Sequence, residues 1–180
     1  SFLQVGSLDE PFVFASGAEL PGITVAYETY GKLNARKNNA ILLFHALSGS
    51  HHAAGMTKEV PGTDARWTED CQTGWWDLFV GPGKALDTNR YFVICANYLG
   101  GCYGSSGPAS INPKTGKPYG NKYPAVTASD VVRSQLALLD HLGVGQLLAV
   151  IGSSVGGLLA INLATMFPER VKIVMPIASG

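Results

Sequence analysis

Apolar residues follow two patterns along this chain, and each pattern predicts a different kind of strand. From Gly22 to Tyr30, apolar residues alternate with polar or small ones, which is typical of a half-exposed strand in an antiparallel pair. Three runs are continuous instead, at Ala40 to Phe44, Tyr91 to Ala96 and Leu147 to Ile151. A continuous run indicates a strand buried on both faces of a parallel sheet. The run from Lys172 to Ile177 predicts one more buried strand.

Two other segments have the spacing of an α-helix. Ala128 to Leu142 carries apolar residues three and four positions apart, and Thr127 with Asp130 predicts a capping box at its start. Gly143 then offers the left-handed residue that commonly ends a helix. A second helix is predicted from Gly157 to Phe167. This order of strands and helices predicts an α/β fold with a mostly parallel sheet and crossover helices.

A short motif stands where the third buried run meets the second helix. Residues 152–156 read G-S-S-V-G, which fits G-x-S-x-G. In a nucleophile elbow, this motif holds a serine on a strained strand-to-helix turn, and small neighbours prevent collisions with the backbone. We therefore predict that Ser154 is a nucleophile and that the N–H of Val155 faces a developing oxyanion. The alternative is an ordinary glycine- and serine-rich turn at a strand end.

The second oxyanion donor is predicted in the long connection after the first buried run. His45 to Gly49 follow that strand directly, where enzymes with this elbow supply a backbone amide that reaches across to the serine. We assign this role to the N–H of Leu47, paired with that of Val155. One such donor typically contributes on the order of 3 kcal/mol to transition-state stabilisation.

These 180 residues lack the partners that a catalytic serine needs. An ordinary triad places an acid and then a histidine after the elbow, but Glu169 is the sole acid after Ser154 and all four histidines precede it. A serine hydroxyl without a base is a poor nucleophile. We therefore predict that residues 1–180 are the N-terminal part of a single α/β-hydrolase catalytic domain. The Asp and the His would lie outside them, and residues 1–180 would be inactive alone.

Composition excludes several classes of function. Thirteen basic residues balance thirteen acidic ones, so no net field attracts nucleic acid or an anionic membrane. No apolar stretch reaches the roughly 18 residues of a membrane span. We expect a cytoplasmic protein that acts on small molecules, with neither nucleic acid nor membrane as a partner. Cys71, Cys95 and Cys102 are predicted to be reduced thiols.

Two further kinds of site are not favoured. His45, His51 and His52 share one loop, but no H-E-x-x-H motif or suitably placed cysteine completes a zinc site, so we predict no metal. Packing or loop hydrogen bonds are the expected role of these histidines. The glycines between Gly100 and Gly107 precede three prolines, which prevent the helix that a phosphate-binding loop requires.

Several longer motifs carry a resemblance to one enzyme family. They read Y-E-T-Y-G at 27–31, H-A-L-S-G at 45–49, G-W-W-D at 74–77, N-Y-L-G-G-C-Y-G-S-S-G-P at 97–108 and S-I-N-P-K-T-G-K-P-Y at 110–119. Together they resemble the homoserine O-acetyltransferase family, which includes relatives that acylate serine or deacetylcephalosporin C. The resemblance covers most of the chain from Tyr27 onward. It implies an α/β-hydrolase fold enzyme of the methionine pathway with a Ser-Asp-His triad. In the family, the Asp, the His and a helical cap belong to a C-terminal half that residues 1–180 lack.

The resemblance also implies substrates, partners and roles for particular residues. The family's nucleophile falls on Ser154 and its oxyanion amides on Leu47 and Val155. Acetyl-CoA would be the acyl donor substrate and homoserine the acceptor, with no permanently bound cofactor. A second copy of the chain is the implied partner, and a C-terminal fragment of the same protein is another to consider. The family usually has G-G-S-M-G-G at the elbow, and Val155 in place of methionine leaves the acyl donor open.

Several other functions remain compatible with the sequence. A relative with the same elbow would use succinyl-CoA as donor, or serine or deacetylcephalosporin C as acceptor. A serine esterase would use water as the acceptor, because one fold supports both reactions. An inactive interaction protein would need no base, although it would not need a complete elbow either.

Overall fold

The computed structural model describes residues 1–61, 63 and 66–179. The strands in that part of the chain are β1 Phe2–Val5, β2 Phe12–Val13, β3 Glu19–Leu20, β4 Ile23–Tyr30, β5 Ala40–Phe44, β6 Val80–Gly81, β7 Leu86–Asp87, β8 Phe92–Ala96, β9 Ile111–Asn112, β10 Lys117–Pro118, β11 Leu147–Ser153 and β12 Val171–Ile177. The α-helices are α1 Glu69–Gln72, α2 Ala128–His141 and α3 Val155–Met166. None of these helices is long and apolar enough to cross a bilayer.

The main sheet of the described residues has six strands in the order β1-β4-β8-β5-β11-β12. The last four of these strands run parallel to one another. By contrast, β4 is antiparallel to both of its neighbours, β1 and β8. The predicted mostly parallel sheet is therefore confirmed, as is the half-exposed antiparallel strand ending at Tyr30.

The three parallel strands β8, β5 and β11 are covered on both faces, which explains their continuous apolar runs. In β5, Leu42 and Phe44 enter a core shared with buried side chains of α2 and α3. Ile41 and Leu43 enter a second core on the opposite face. The connection from β5 to β6 covers that second core with Ala53, Ala54, Trp75 and Trp76. Each fully buried Leu, Ile or Phe contributes roughly 1.5–3 kcal/mol to folding.

Helix α2 begins and ends at the predicted signals. The Thr127 side chain accepts from the Asp130 N–H, and the Asp130 carboxylate accepts from the Thr127 N–H at 2.9 Å. The same carboxylate accepts from the Ala15 N–H at 2.7 Å, so it also anchors the N-terminal segment. Gly143 follows the helix with φ of 72°. The capping box and the glycine stop are both confirmed.

The prediction of a buried strand at Lys172 to Ile177 is wrong in its burial. The strand forms and pairs with β11, but it is the last strand of the sheet among the described residues. Val174 packs on the core beneath α3, whereas Ile173 and Met175 point the other way and are 49% and 47% exposed. The apolar run has the composition of a central strand, but among residues 66–179 nothing packs on this face of it.

Candidate active site

Ser154 occupies a sharp turn between β11 and α3. Its backbone has φ of 55° and ψ of −122°, a conformation that costs a non-glycine residue about 1–3 kcal/mol. Two hydrogen bonds hold the turn: the Ser154 N–H donates to the Ile177 carbonyl at 2.9 Å, and the Ser154 carbonyl accepts from Gly157 at 3.0 Å. The residue is exposed. This strained, exposed strand-to-helix turn has the geometry of a nucleophile elbow.

The glycines around the serine are required by close backbone contacts. A Cβ atom at Gly152 would overlap the Gly156 carbonyl, and one at Gly156 would overlap the Phe44 and His45 carbonyls. A Cβ at Gly157 would overlap the Ser179 side chain. The sequence therefore permits α3 to start directly against the ends of β5 and β11.

The turn that carries Leu47 lies at the same edge of the sheet. Phe44, the last residue of β5, is the register partner of Gly152 in β11. Because both strands are parallel, their carboxyl ends open onto the same edge. The chain then turns at residues 46–49, where the Gly49 N–H donates to the Ala46 carbonyl at 2.9 Å. Leu47 and the elbow thus lie at the same edge of the sheet, and the side chain of Leu47 is 82% exposed.

Two backbone amides at this edge are free to bind an anion. Within the described part of the chain, neither the Leu47 N–H nor the Val155 N–H has a hydrogen-bond acceptor. Val155 opens α3, whose first turn carries no acidic side chain. A helix N-terminus bears a partial positive charge, so this edge favours a developing negative charge next to Ser154.

No histidine among the described residues bonds to the Ser154 hydroxyl. All four histidines lie elsewhere in the structure. His141 is exposed at the end of α2. His45, His51 and His52 are each 2% exposed in the β5–β6 connection. Burial lowers the pKa of His45 to about 4 and that of His51 to about 4. Both side chains are therefore neutral at pH 7.

His52 carries a positive charge inside a network with β4. Its Nδ1 lies 2.8 Å from Glu28 Oε2, and its Nε2 lies 3.0 Å from the Gln72 carbonyl. A carboxylate and a carbonyl only accept, so both ring nitrogens are protonated. Burial opposes the charge, yet the hydrogen bond and charge of Glu28 raise the pKa of His52 above its ordinary value. Burial likewise opposes ionisation of Glu28, but the bonds from His52 and Tyr30 hold its pKa below the ordinary value.

Tyr30 completes this network and joins it to the loop backbone. Its hydroxyl donates to Glu28 at 2.5 Å and accepts from the N–H groups of Ala53 and Ala54 at 2.8 and 3.1 Å. Sequence reasoning missed this cluster, although both of its parts lie in recognisable motifs, Y-E-T-Y-G and the histidine pair. Their separation of 24 residues hides the pairing.

A cavity of about 330 Å³ lies beside the Leu47 turn. Its wall is formed by His45, Leu47, Ser48, Gly49 and residues 97–103. Gly100 in this wall has φ of 79°, a conformation that glycine adopts without strain. The glycine-rich segment therefore turns next to the candidate site. No group of three His, Cys, Asp or Glu among the described residues is placed to hold a metal.

Comparisons with known proteins agree with this geometry. A family model for the alpha/beta hydrolase fold matches residues 39–179. A homoserine O-acetyltransferase from Deferribacter desulfuricans is 53% identical over 95% of this chain and 43% of its own length. A homoserine O-succinyltransferase from Halorhodospira halophila is 52% identical over 97% of this chain and 43% of its own length. This chain thus spans less than half the length of these relatives.

A solved structure shows the same backbone. The crystal structure of esterase E22 superposes with a TM-score of 0.81 at 40% identity, over 95% of this chain and 45% of that one. A transferase and an esterase are therefore both close in sequence, so likeness by itself does not select the acyl acceptor. The resemblance to the homoserine O-acyltransferases is confirmed, and the chain belongs to the alpha/beta hydrolase fold family.

Proposed function

We propose that this chain carries the nucleophile and the oxyanion hole of an O-acyltransferase. The observation that supports this most directly is the exposed, strained Ser154 beside two unoccupied amides, those of Leu47 and Val155. Strain of this kind is maintained at a cost in stability, and it projects the hydroxyl away from the sheet. An interaction protein would have no use for this arrangement.

The proposed reaction has two steps that use the same serine. The Ser154 oxygen attacks the thioester carbonyl of an acyl-CoA, and its proton passes to a base that we place outside residues 1–180. The oxyanion is bound by the amides of Leu47 and Val155, and its collapse breaks the carbon–sulfur bond and releases the thiol, which takes the proton. The acceptor hydroxyl then attacks the acyl-serine in the same way and restores the enzyme.

Acetyl-CoA and homoserine are the proposed substrates. The names of the relatives support homoserine as acceptor, and they include both acetyl and succinyl transferases at nearly equal identity. Acetyl-CoA rests on the family resemblance, as does the homodimer, whereas the proposed cytoplasmic location rests on the three cysteines that we expect to be reduced. The balanced charge of the chain suits a small zwitterionic acceptor.

The test is to trap the acyl-enzyme in the whole protein that carries this sequence. Incubated with acetyl-CoA and no acceptor, the protein should gain an acetyl group on the peptide that contains Ser154, detected by mass spectrometry. Homoserine should discharge it to O-acetylhomoserine. A transferase has to hold the acceptor in attack geometry, where effective molarity offsets the excess of water. Ser154→Ala should lower kcat by about a millionfold, whereas Ser153→Ala, at the neighbouring position, should lower kcat far less.

Each alternative gives a different result in the same assay. If succinyl-CoA labels the serine faster than acetyl-CoA, the donor assignment is wrong and the reaction class stands. If the acetyl-enzyme hydrolyses equally fast with and without homoserine, the protein is an esterase. If Ser153→Ala and Ser154→Ala lower kcat equally and only slightly, the nucleophile is another residue.

A further inference from the structure

The carbonyl of Ala46 is held by two donors on the protein side of the Leu47 turn. His45 Nδ1 lies 2.7 Å from the Ala46 oxygen, and the Gly49 N–H donates to the same oxygen at 2.9 Å. Because a carbonyl only accepts, Nδ1 carries the proton. The His45 ring is 2% exposed, so this hydrogen bond forms away from water.

This carbonyl belongs to the same peptide unit as the Leu47 N–H. In a planar trans peptide the C=O and the N–H point in opposite directions. When His45 and Gly49 hold the Ala46 oxygen toward the interior, the N–H of Leu47 is turned outward to the edge of the sheet. The direction of the oxyanion donor is thus set by hydrogen bonds on the far side of its own peptide.

Tyr98 holds the preceding peptide and the ring of His45. Its hydroxyl donates to the His45 carbonyl at 2.6 Å. Its ring stacks on the imidazole with centroids 3.8 Å apart and planes 17° from parallel. Tyr98 follows β8 by two residues, so the central sheet provides the support. Two consecutive carbonyls of the turn, those of His45 and Ala46, are therefore fixed by buried side chains.

We propose that His45 and Tyr98 are positioning residues that aim the Leu47 N–H at the oxyanion formed on Ser154. This inference rests on the proposed function, because it assigns the support of the oxyanion hole that the reaction requires. Neither side chain touches the reacting atoms. The neutral His45 ring, whose pKa burial lowers to about 4, supplies one donor at Nδ1.

The experiment replaces the donors one at a time in the whole protein. His45→Leu removes the Nδ1–H and should lower kcat by about a hundredfold with KM changed less than threefold, since one oxyanion donor is typically worth 10²–10³ in kcat. His45→Asn places an amide nitrogen near the Nδ1 position and should recover kcat to within about tenfold of wild type. Tyr98→Phe keeps the ring and loses the hydroxyl, and should lower kcat about tenfold.

A second measurement distinguishes a misdirected oxyanion donor from a general loss of stability. A trifluoromethyl ketone that forms an oxyanion on the serine should bind His45→Leu about a hundredfold more weakly than wild type, while KM stays constant. The matched control is His51→Leu, because His51 is equally buried in the same connection and makes no bond to the turn. It should leave kcat and ketone affinity near wild type even if the melting temperature falls.

Three results would overturn the inference. They are a kcat within threefold of wild type in His45→Leu, equal losses of kcat in His45→Leu and His51→Leu, or no recovery in His45→Asn. If His45→Leu does not fold, Tyr98→Phe decides by the same measurements. Ser154→Ala is run in parallel: turnover that survives it rejects the proposed function itself, whereas lost turnover with an unaffected His45→Leu rejects only the positioning role.

Discussion

At the elbow, the backbone leaves no room for a methyl group at Gly156. Gly156→Ala gains up to about 1 kcal/mol from lower backbone entropy in the unfolded chain, but its Cβ would overlap the carbonyls of Phe44 and His45. Overpacking of this kind costs about 1–3 kcal/mol. We expect a lower melting temperature and a lower kcat, because relief of the overlap moves the strand end that carries the Leu47 turn.

The matched control for this substitution is Gly145→Ala. A Cβ at Gly145 would meet no atom within 4 Å, and its backbone is outside the left-handed region. Its melting temperature should stay at or slightly above that of wild type. Thermal melts and steady-state kinetics of both variants in the whole protein check the comparison. Equal melting temperatures would show that α3 does not need its close approach to β5.

At the scale of elements, the ion pair of Glu28 and His52 fastens the β5–β6 connection to β4. Removing one partner of a buried pair costs about 3–5 kcal/mol, and since Glu28 is 22% exposed we expect the lower end for Glu28→Gln. By contrast, the ion pair of Asp140 with Arg170 lies at the surface, where Asp140 is 65% exposed. Asp140→Asn should therefore cost at most about 1 kcal/mol. If both variants lose a similar free energy of unfolding, the Glu28–His52 pair does not stabilise the fold as a buried ion pair.

The same pair makes stability depend on pH. The folded pKa of His52 lies above its ordinary 6.5, so its contribution is full below pH 6.5 and is lost as the pH rises through the folded value. The folded pKa of Glu28 lies below its ordinary 4.5, so its contribution is full above pH 4.5 and is lost as the pH falls through the folded value. The difference in melting temperature between wild type and Glu28→Gln should be largest between pH 4.5 and 6.5. A difference that is constant from pH 4 to 9 would rule the pair out as its cause.

For the whole molecule, residues 1–180 should not turn over acyl-CoA by themselves. The hydroxyl of Ser154 bonds to no histidine in the described part of the chain, and a serine without its base keeps only the contribution of binding and the oxyanion hole. The measurement is thiol release from acetyl-CoA by purified residues 1–180, compared with the whole protein. Steady release at the rates of a complete enzyme would overturn the triad assignment. That these residues form the N-terminal part of one catalytic domain remains a prediction.

The sequence by itself determined the local elements of this protein and the identity of its candidate nucleophile. Helix ends follow from capping residues and glycines, and strands from runs of apolar residues, because both depend on near neighbours. The elbow is recognisable locally because Gly152 has to be small to avoid Gly156 within the turn itself, although the small size of Gly156 and Gly157 also answers contacts with residues distant in sequence, at the ends of β5 and β12.

Only the tertiary structure decided which apolar faces are covered and what each histidine does. The runs at β5 and β12 look alike, but within the described residues β5 is central and β12 has Ile173 and Met175 exposed, because coverage depends on what packs from elsewhere in the chain. His45 and His52 share a loop and an equal degree of burial. One is neutral beneath the Leu47 turn and the other is charged beside Glu28, because the pKa of a histidine is set by partners that the fold, not the neighbouring sequence, brings to it.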